Sequence, residues 1–303
     1  MFKKIVFSII SLFFLLLLFV DVDNVISERL INALWPIGHM TVFLFWSALL
    51  LLYQPKIKAA PLKKQLLILT LFCFTFGIMI ELIQPFFSRS REVEDLFLNY
   101  VGVLLSIILF SRQLIHWFYK IAYFGLLSYL LFPSLLTIYD EIRVQVEFPV
   151  LASFQQNIAL TRWKSDQPLS LSTPKTLASL QKMMKITFVP QKYSGVALRY
   201  FKGDWQAYKS LTIGFYNPNQ QSLPLTLILT DRHYNKGKPN YQDRYENKLQ
   251  IEPGFNEKTI PLSSISDGVM LRKMDLSKMA GVDFYMYQLD VAVPLYLNSL
   301  YLH

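Results

Sequence analysis

Residues 66–102 read LLILTLFCFTFGIMIELIQPFFSRSREVEDLFLNYVG, two apolar runs joined by a charged hinge. The first run, 66–83, carries one charge, Glu81, and the second, 96–110, carries none. Runs this long and this poor in charge are read as membrane-spanning helices. The second is short, and its weakly polar flanks can lengthen it. Working outward, comparable runs occupy residues 5–20, 37–53 and 121–138, so the expectation is five spans. The run at 5–20 follows Lys3 and Lys4, and Asp21-Val22-Asp23-Asn24 comes after it instead of a small-residue cleavage site. It therefore reads as an uncleaved anchor. Pro133 interrupts the last run, and proline is tolerated in membrane helices.

The composition agrees with that reading. The chain is 53% hydrophobic and only 17% charged. Residues 1–139 hold 18 charged side chains and residues 140–303 hold 33, so the apolar part comes first and an ordinary soluble part follows. The expected organisation is a four-helix membrane domain over 1–112 and a fifth helix over 113–139. A connecting segment and the start of the soluble domain follow over 140–187, then a β-sandwich over 188–303. The net charge of +9 arises largely from bases in short loops beside the spans, and no recognition motif accompanies it. Nucleic acid is not an expected partner. Cys73 stands alone, which excludes an intrachain disulfide and a cysteine metal site.

Loop charge orients the spans. Lys3 and Lys4 precede the first; Asp21, Asp23 and Glu28 follow it. Lys56, Lys58, Lys63 and Lys64 sit in the next loop, Glu92, Glu94 and Asp95 against Arg89 and Arg91 in the third, and Arg112 and Lys120 in the fourth. Bases collect on the cytoplasmic side, so the N-terminus is expected there, and five spans carry residue 140 onward to the outer side of a cytoplasmic membrane.

With that orientation, His39, Glu81, Gln84, Asp95 and Asn99 fall at one depth on three helices. Residues 66–80 rise about 22 Å, which puts Glu81 in the outer leaflet. Polar groups there are functional candidates by default. Glu81 and Gln84 are i,i+3 and share a face with Gly77; Asp95 and Asn99 are i,i+4, with Gly102 a turn further on. Arg89 and Arg91 lie above them at headgroup level, placed to meet phosphate. The expected site is a polar pocket of His39, Glu81, Gln84, Arg89, Arg91, Asp95 and Asn99. The plainer alternatives are interhelical hydrogen bonding by Glu81 and Gln84 and an N-cap role for Asp95.

The histidine opening the second span, Glu81-Leu-Ile-Gln84-Pro-Phe-Phe, the arginine-bearing loop and Asp95-Leu-Phe-Leu-Asn99-Tyr-Val-Gly102 together resemble the VanZ-like membrane family over residues 1–112. That family is named for a protein associated with resistance to a glycopeptide antibiotic. The resemblance implies a cell-envelope setting rather than a reaction.

Beyond residue 139 the pattern shortens to alternating segments at 196–201, 211–216, 223–229, 248–252, 258–262, 282–287 and 297–302, with turn signals at Asn217-Pro218-Asn219 and Pro253-Gly254-Phe255-Asn256. This is the signature of an all-β sandwich, with a helix expected near 177–184. The Trp205-x-x-Tyr208-x-x-Leu211 segment and the strands after it resemble galactose-binding-like jelly rolls, a fold used by many carbohydrate-binding modules. For glycan contact the resemblance and the residue types point to Trp205, Tyr234, Tyr241, Asp243, Arg244 and Tyr245. Aromatic faces suit pyranose rings, and the polar groups suit hydroxyls. Trp205 is equally a candidate for the core.

No phosphate loop, nucleophile elbow or histidine-rich spacing is present, so no cofactor or metal is expected. The expected function is a membrane protein of the cell envelope that binds a lipid-linked or polysaccharide ligand at the outer face, in antibiotic resistance or envelope polysaccharide metabolism. The alternatives are an intramembrane enzyme acting on a lipid-linked precursor through Glu81 or His39, and a scaffold for protein partners. Transport is disfavoured, because one polar cluster near one face offers no through-path.

Overall fold

The computed structural model describes residues 27–87, 92–174, 182–236 and 240–303, together with residue 11. The expected span at 5–20, apart from residue 11, and both loop arginines, Arg89 and Arg91, lie outside them. The chain divides into two compact units, residues 1–139 and 140–303.

In the first unit, α1 (Glu28–Tyr53) begins where the Ser27 hydroxyl accepts from the Leu30 amide at 3.1 Å. Serine is a strong N-cap, and Glu28 in the first turn complements the helix dipole. The helix therefore starts nine residues before the apolar run at 37–53, inside the segment expected as an outer loop. Pro36 is absorbed within it. A short α2 (Pro55–Lys58) leads to α3 (Leu62–Ile83), a 3₁₀ turn (Gln84–Phe87) and α4 (Val93–Phe110). Then α5 (Trp117–Glu147) runs through Pro133 without ending. Among the described residues, four helices are long and apolar enough to cross a membrane.

Glycines bring α1 and α4 into backbone contact. A Cβ on Gly102 would lie 2.2 Å from the Met40 carbonyl oxygen, and one on Gly77 of α3 would meet Leu96 at 2.7 Å. Around them pack Phe43, Leu51, Leu69, Cys73, Ile80, Val103 and Ile107, all buried. The opposite side of α3 presents Leu67, Leu71, Ile78 and Leu82 outward, as a lipid-facing helix does.

The second unit is a sandwich of two antiparallel sheets. Its strands are β1 (Val150–Ala152), β2 (Trp163–Ser165), β3 (Ser170–Ser172), β4 (Met183–Phe188), β5 (Tyr193–Leu198), β6 (Ser210–Asn217), β7 (Leu223–Asp231), β8 (Tyr245–Ile251), β9 (Gly254–Pro261), β10 (Met279–Tyr287) and β11 (Val293–Leu302). One sheet runs β3-β4-β11-β6-β9, with β1 also on β11; the other runs β2-β5-β10-β7-β8. Two short helices, α6 (Arg232–Lys236) and α7 (Leu262–Asp267), follow β7 and β9.

Of the helix expected at 177–184, residues 177–181 lie outside the described residues. Met183 and Met184 instead open β4, where both are fully buried. Alternation places Leu211, Ile213 and Phe215 of β6 against Leu225, Leu227 and Leu229 of β7 and Val282, Phe284 and Met286 of β10. In β11 the buried set changes parity, from Leu295 and Leu297 to Leu300 and Leu302. The register shift between Leu297 and Ser299 accounts for this, because a one-residue bulge moves every later side chain to the other face. At the expected Pro253-Gly254-Phe255-Asn256 turn, Gly254 takes φ +88°, a conformation glycine tolerates best. Asn256 closes the turn by donating to the Glu252 carbonyl at 2.7 Å and accepting from the Glu252 amide at 2.9 Å.

Candidate functional site

The five described residues of the expected membrane pocket lie where the middle of α1 meets the end of α3 with its 3₁₀ turn and the first turns of α4, each no more than 7% exposed. They form two joined groups. His39 is held between α4 residues: Nδ1 lies 3.0 Å from Oδ1 of Asn99 and Nε2 lies 3.2 Å from Oδ2 of Asp95. The Trp35 indole N–H also donates to Asp95, at 3.0 Å. Trp35 lies before the apolar run at 37–53, so that run alone does not point to it. Its signal was the Ser27-Glu28 cap.

Glu81 accepts from the Glu92 amide at 2.9 Å. With its side-chain nitrogen turned toward Glu81, Gln84 donates to both carboxylate oxygens at 3.2 Å. The carboxylate thus ties the end of α3 to the start of α4. At the far end of the same helices Gln65 is fully buried, donating to the Ile57 and Ala60 carbonyls at 3.2 and 3.1 Å and accepting from Ser111 at 2.7 Å. A lone glutamine beside a lysine-rich loop gave no sequence signal of this.

In the sandwich, the residues expected to contact glycan separate into core and rim. Trp205 is fully buried, its indole N–H donating to the Lys202 carbonyl at 3.1 Å. Tyr245 is 8% exposed, its ring lying against Gly268. Neither offers a ring face to solvent: Trp205 takes its core alternative, and for Tyr245 the expectation of glycan contact is corrected. Strand periodicity explains Tyr245, which shares the inward parity of Leu249 and Ile251.

The other four cluster at one end of the sandwich. Asp231, fully buried, accepts from the Arg272 guanidinium at 2.5 and 2.7 Å and from the Tyr234 and Asp275 amides at 3.0 and 2.9 Å. Burial acts to raise its carboxyl, but the Arg272 hydrogen bonds and both amides outweigh it and hold Asp231 below the usual carboxylate range. Arg272 Nε also reaches Asp243 at 2.6 Å. Arg244 pairs with Glu246 at 2.8 Å and lies over the Tyr241 ring at 4.7 Å. Arg272 carried no sequence signal, since its partner is 41 residues away.

Glu246 links this rim to a groove of about 380 Å³ on the outer face of the second sheet. Tyr285 donates to Glu246 at 3.1 Å. Tyr193 and Tyr287 face each other across β5 and β10, with ring centroids 5.2 Å apart, and Tyr193 lies 6.0 Å from Tyr285. Gly195, paired with Tyr285, leaves the floor beside that ring bare. Ala197 continues the floor, between Lys164 and Asp166 on one side and Asp283, ion-paired to Arg199, on the other. Burial and the Glu246 carboxylate push the Tyr285 phenol above its ordinary range, so it remains a hydrogen-bond donor. The alternating Tyr193-x-Gly195-x-Ala197 outward set was present in the sequence. The apolar alternation expected at 196–201 begins only after Tyr193 and Gly195, whereas β5 starts at Tyr193.

No family model matches this chain, and no curated protein matches it. Among solved structures it is similar to the Family 11 carbohydrate-binding module from Clostridium thermocellum in complex with a beta-1,3-1,4-mixed-linked tetrasaccharide, at 14% identity over 50% of this chain and 93% of that one, with a TM-score of 0.38. It is similar to an exo-beta-agarase at 14% identity over 51% of this chain and 24% of that one, with a TM-score of 0.41. It is also similar to a carbohydrate-binding module specific for non-crystalline cellulose, at 9% identity over 47% and 87%, with a TM-score of 0.35. At such identities the likeness assigns no residue of this chain to a ligand.

Proposed function

We propose that the chain is a membrane-anchored glycan-binding protein of the cell envelope, in which the helices hold the sandwich at the outer surface and the second sheet takes a polysaccharide across its face. The observation that carries this reading is the strip of Tyr193, Tyr287 and Tyr285 beside the Gly195–Ala197 floor. Exposed Tyr193 and Tyr287, the half-buried Tyr285 and a small-residue floor offer apolar ring area to pyranose rings, and the flanking Asp, Lys, Arg and Glu side chains offer hydroxyl partners. Both charge signs line the groove, which favours a neutral chain over a polyanion. Alternate residues on a strand advance about 6.6 Å, so the strip from Tyr193 to Arg199 runs about 20 Å and accepts several sugar units.

In this reading the helical constellation is a staple. Its histidine and carboxylates are engaged by neighbouring residues of the same helices, and burial of each residue at 7% or less favours fixed helix geometry over a lipid-linked headgroup or a reacting substrate. The antibiotic-resistance theme of the VanZ-like resemblance adds no site to it.

The test is a titration of the full chain in nanodiscs with neutral and anionic polysaccharides, alongside Tyr193→Ala and Tyr285→Ala. Saturable binding of a neutral glycan that falls at least tenfold in either variant is expected. Absence of saturable binding by chain with an unaltered melting profile overturns the reading.

A further inference from the structure

The helix α5 does not stop at the end of its apolar run; it continues to Glu147 and is built into the second unit. Arg162, 1% exposed, donates to both oxygens of the fully buried Asp140 at 2.7–3.1 Å, and Val144 is buried beside them. The other side of these last turns is apolar and uncovered: Ile142 is 58% and Val146 78% exposed, four residues apart on one face.

The chain then enters the sandwich at Pro149, whose carbonyl accepts from Leu302. From there backbone hydrogen bonds run along one end of the sandwich: His303 to Ser210, Leu262 to Lys209, and Met270 to Gln242. That end carries a second uncovered apolar group. Met270, Leu271 and Tyr241 are 82%, 57% and 78% exposed on adjoining loops, although loops of this kind are ordinarily polar. Lys202, Lys209, Arg232 and Lys278 are exposed at the same end, against the exposed acids Asp204 and Asp267, the latter already paired with Lys273.

We propose that this end of the sandwich docks on an anionic lipid surface, with Met270, Leu271 and Tyr241 entering the interfacial layer beside the Ile142–Val146 face and the four cations meeting headgroup phosphates. The dimensions permit it. Asp140 to Glu147 rises about 10 Å, comparable with the 5–8 Å thickness of one headgroup layer. Apolar side chains ringed by lysine and arginine are the composition that binds interfaces. The inference rests on the reading of α5 as a membrane span. It leaves the Tyr193–Tyr285 face free for glycan.

The test uses the full chain, with buried Cys73 replaced by Ala, in vesicles containing one-third phosphatidylglycerol. An environment-sensitive fluorophore is placed at Leu271→Cys, at Met270→Cys, or at Asp290→Cys on the loop at the opposite end. Blue-shifted emission and quenching by a lipid-borne quencher at 270 and 271, but not at 290, are expected. Each of Lys209→Ala, Arg232→Ala and Lys278→Ala should weaken docking about fivefold, only in the anionic vesicles. Water-quenched emission at all three sites in chain that resists alkaline carbonate extraction overturns docking and leaves the span reading standing. Release of the chain by carbonate overturns the span reading and the inference with it. Protection at 271 by added polysaccharide, not by lipid, reassigns the tip to glycan and overturns docking.

Discussion

The helical unit encloses its polar constellation of His39, Glu81, Gln84, Asp95 and Asn99, whereas the sandwich carries a strip of tyrosines on the outer face of one sheet. His39, Asp95 and Asn99 sit among apolar helices with one another as partners. Tyr193, Tyr285 and Tyr287 sit on the solvent side of a sheet whose other side is the core. The difference follows from the surroundings. Helices long and apolar enough to cross a membrane have, in lipid, only their neighbours to satisfy polar groups, and here the polar groups do face neighbouring helices. A sheet with one wet face can leave aromatic ring faces open, as at Tyr193 and Tyr287, 57% and 48% exposed, even where the charged neighbours are paired, as Asp283 is with Arg199. Under the proposed function the enclosed cluster serves stability and the outward tyrosines are the surface open to a ligand.

The sharpest way to break that contrast is His39→Leu. It leaves Asp95 with the Trp35 indole N–H but without the imidazole and takes away the His39 contact of the buried Asn99 carbonyl oxygen, and removing one member of a buried pair costs about 3–5 kcal/mol. Denaturant titration of the chain in detergent should register this, while Leu67→Ala on the outward side of α3, at 60% exposure, should change little. An unchanged His39→Leu transition would mean that the constellation is not a fastener and would reopen it as a ligand pocket.

Asp231→Asn is expected to have a smaller effect, about 2–3 kcal/mol at neutral pH, because Arg272 keeps Asp243 as a partner. Its sign with pH is fixed by linkage. The folded-state carboxyl lies below its unfolded value, near 3.9, so its contribution is present above that value and is lost as pH falls through the lower folded one. The acid limb of the stability curve should be shallower in Asp231→Asn than in the parent. Parallel limbs would show that Arg272 does not hold the carboxylate as the geometry implies.

The same contrast explains what could be read without coordinates. Helical periodicity placed Glu81 with Gln84 and Asp95 with Asn99, because residues three or four apart share a face whatever surrounds them. It could not place Trp35, whose helix is extended by a cap, or Gln65, whose partners are backbone carbonyls. In the sandwich, alternation located the strands, but a bulge at Leu297–Ser299 and the change of chain direction between sheets lie beyond local pattern. For Trp205 the sequence left core and glycan contact open, and the fold puts it in the core; Tyr245 was legible from strand parity with Leu249 and Ile251, had the strand been taken to begin at 245 instead of 248.

The smallest expected stability change tests the strand face most directly. Ala197 lies outward on β5, opposite Asp283 and beside Lys164, and is only partly covered. Ala197→Leu adds bulk to the groove floor without entering the core, and outward substitutions on a sheet ordinarily change stability by about 0.5 kcal/mol or less. A leucine there also suits a strand no worse than alanine. Melting should therefore be unchanged, while polysaccharide affinity falls at least tenfold because the ring-stacking plane beside Tyr285 is interrupted. Unaltered affinity would move the glycan site off this face and toward the Tyr234–Arg244 rim, whereas a lower melting temperature would place Ala197 in a packed layer and remove the premise that this side of the sheet is uncommitted.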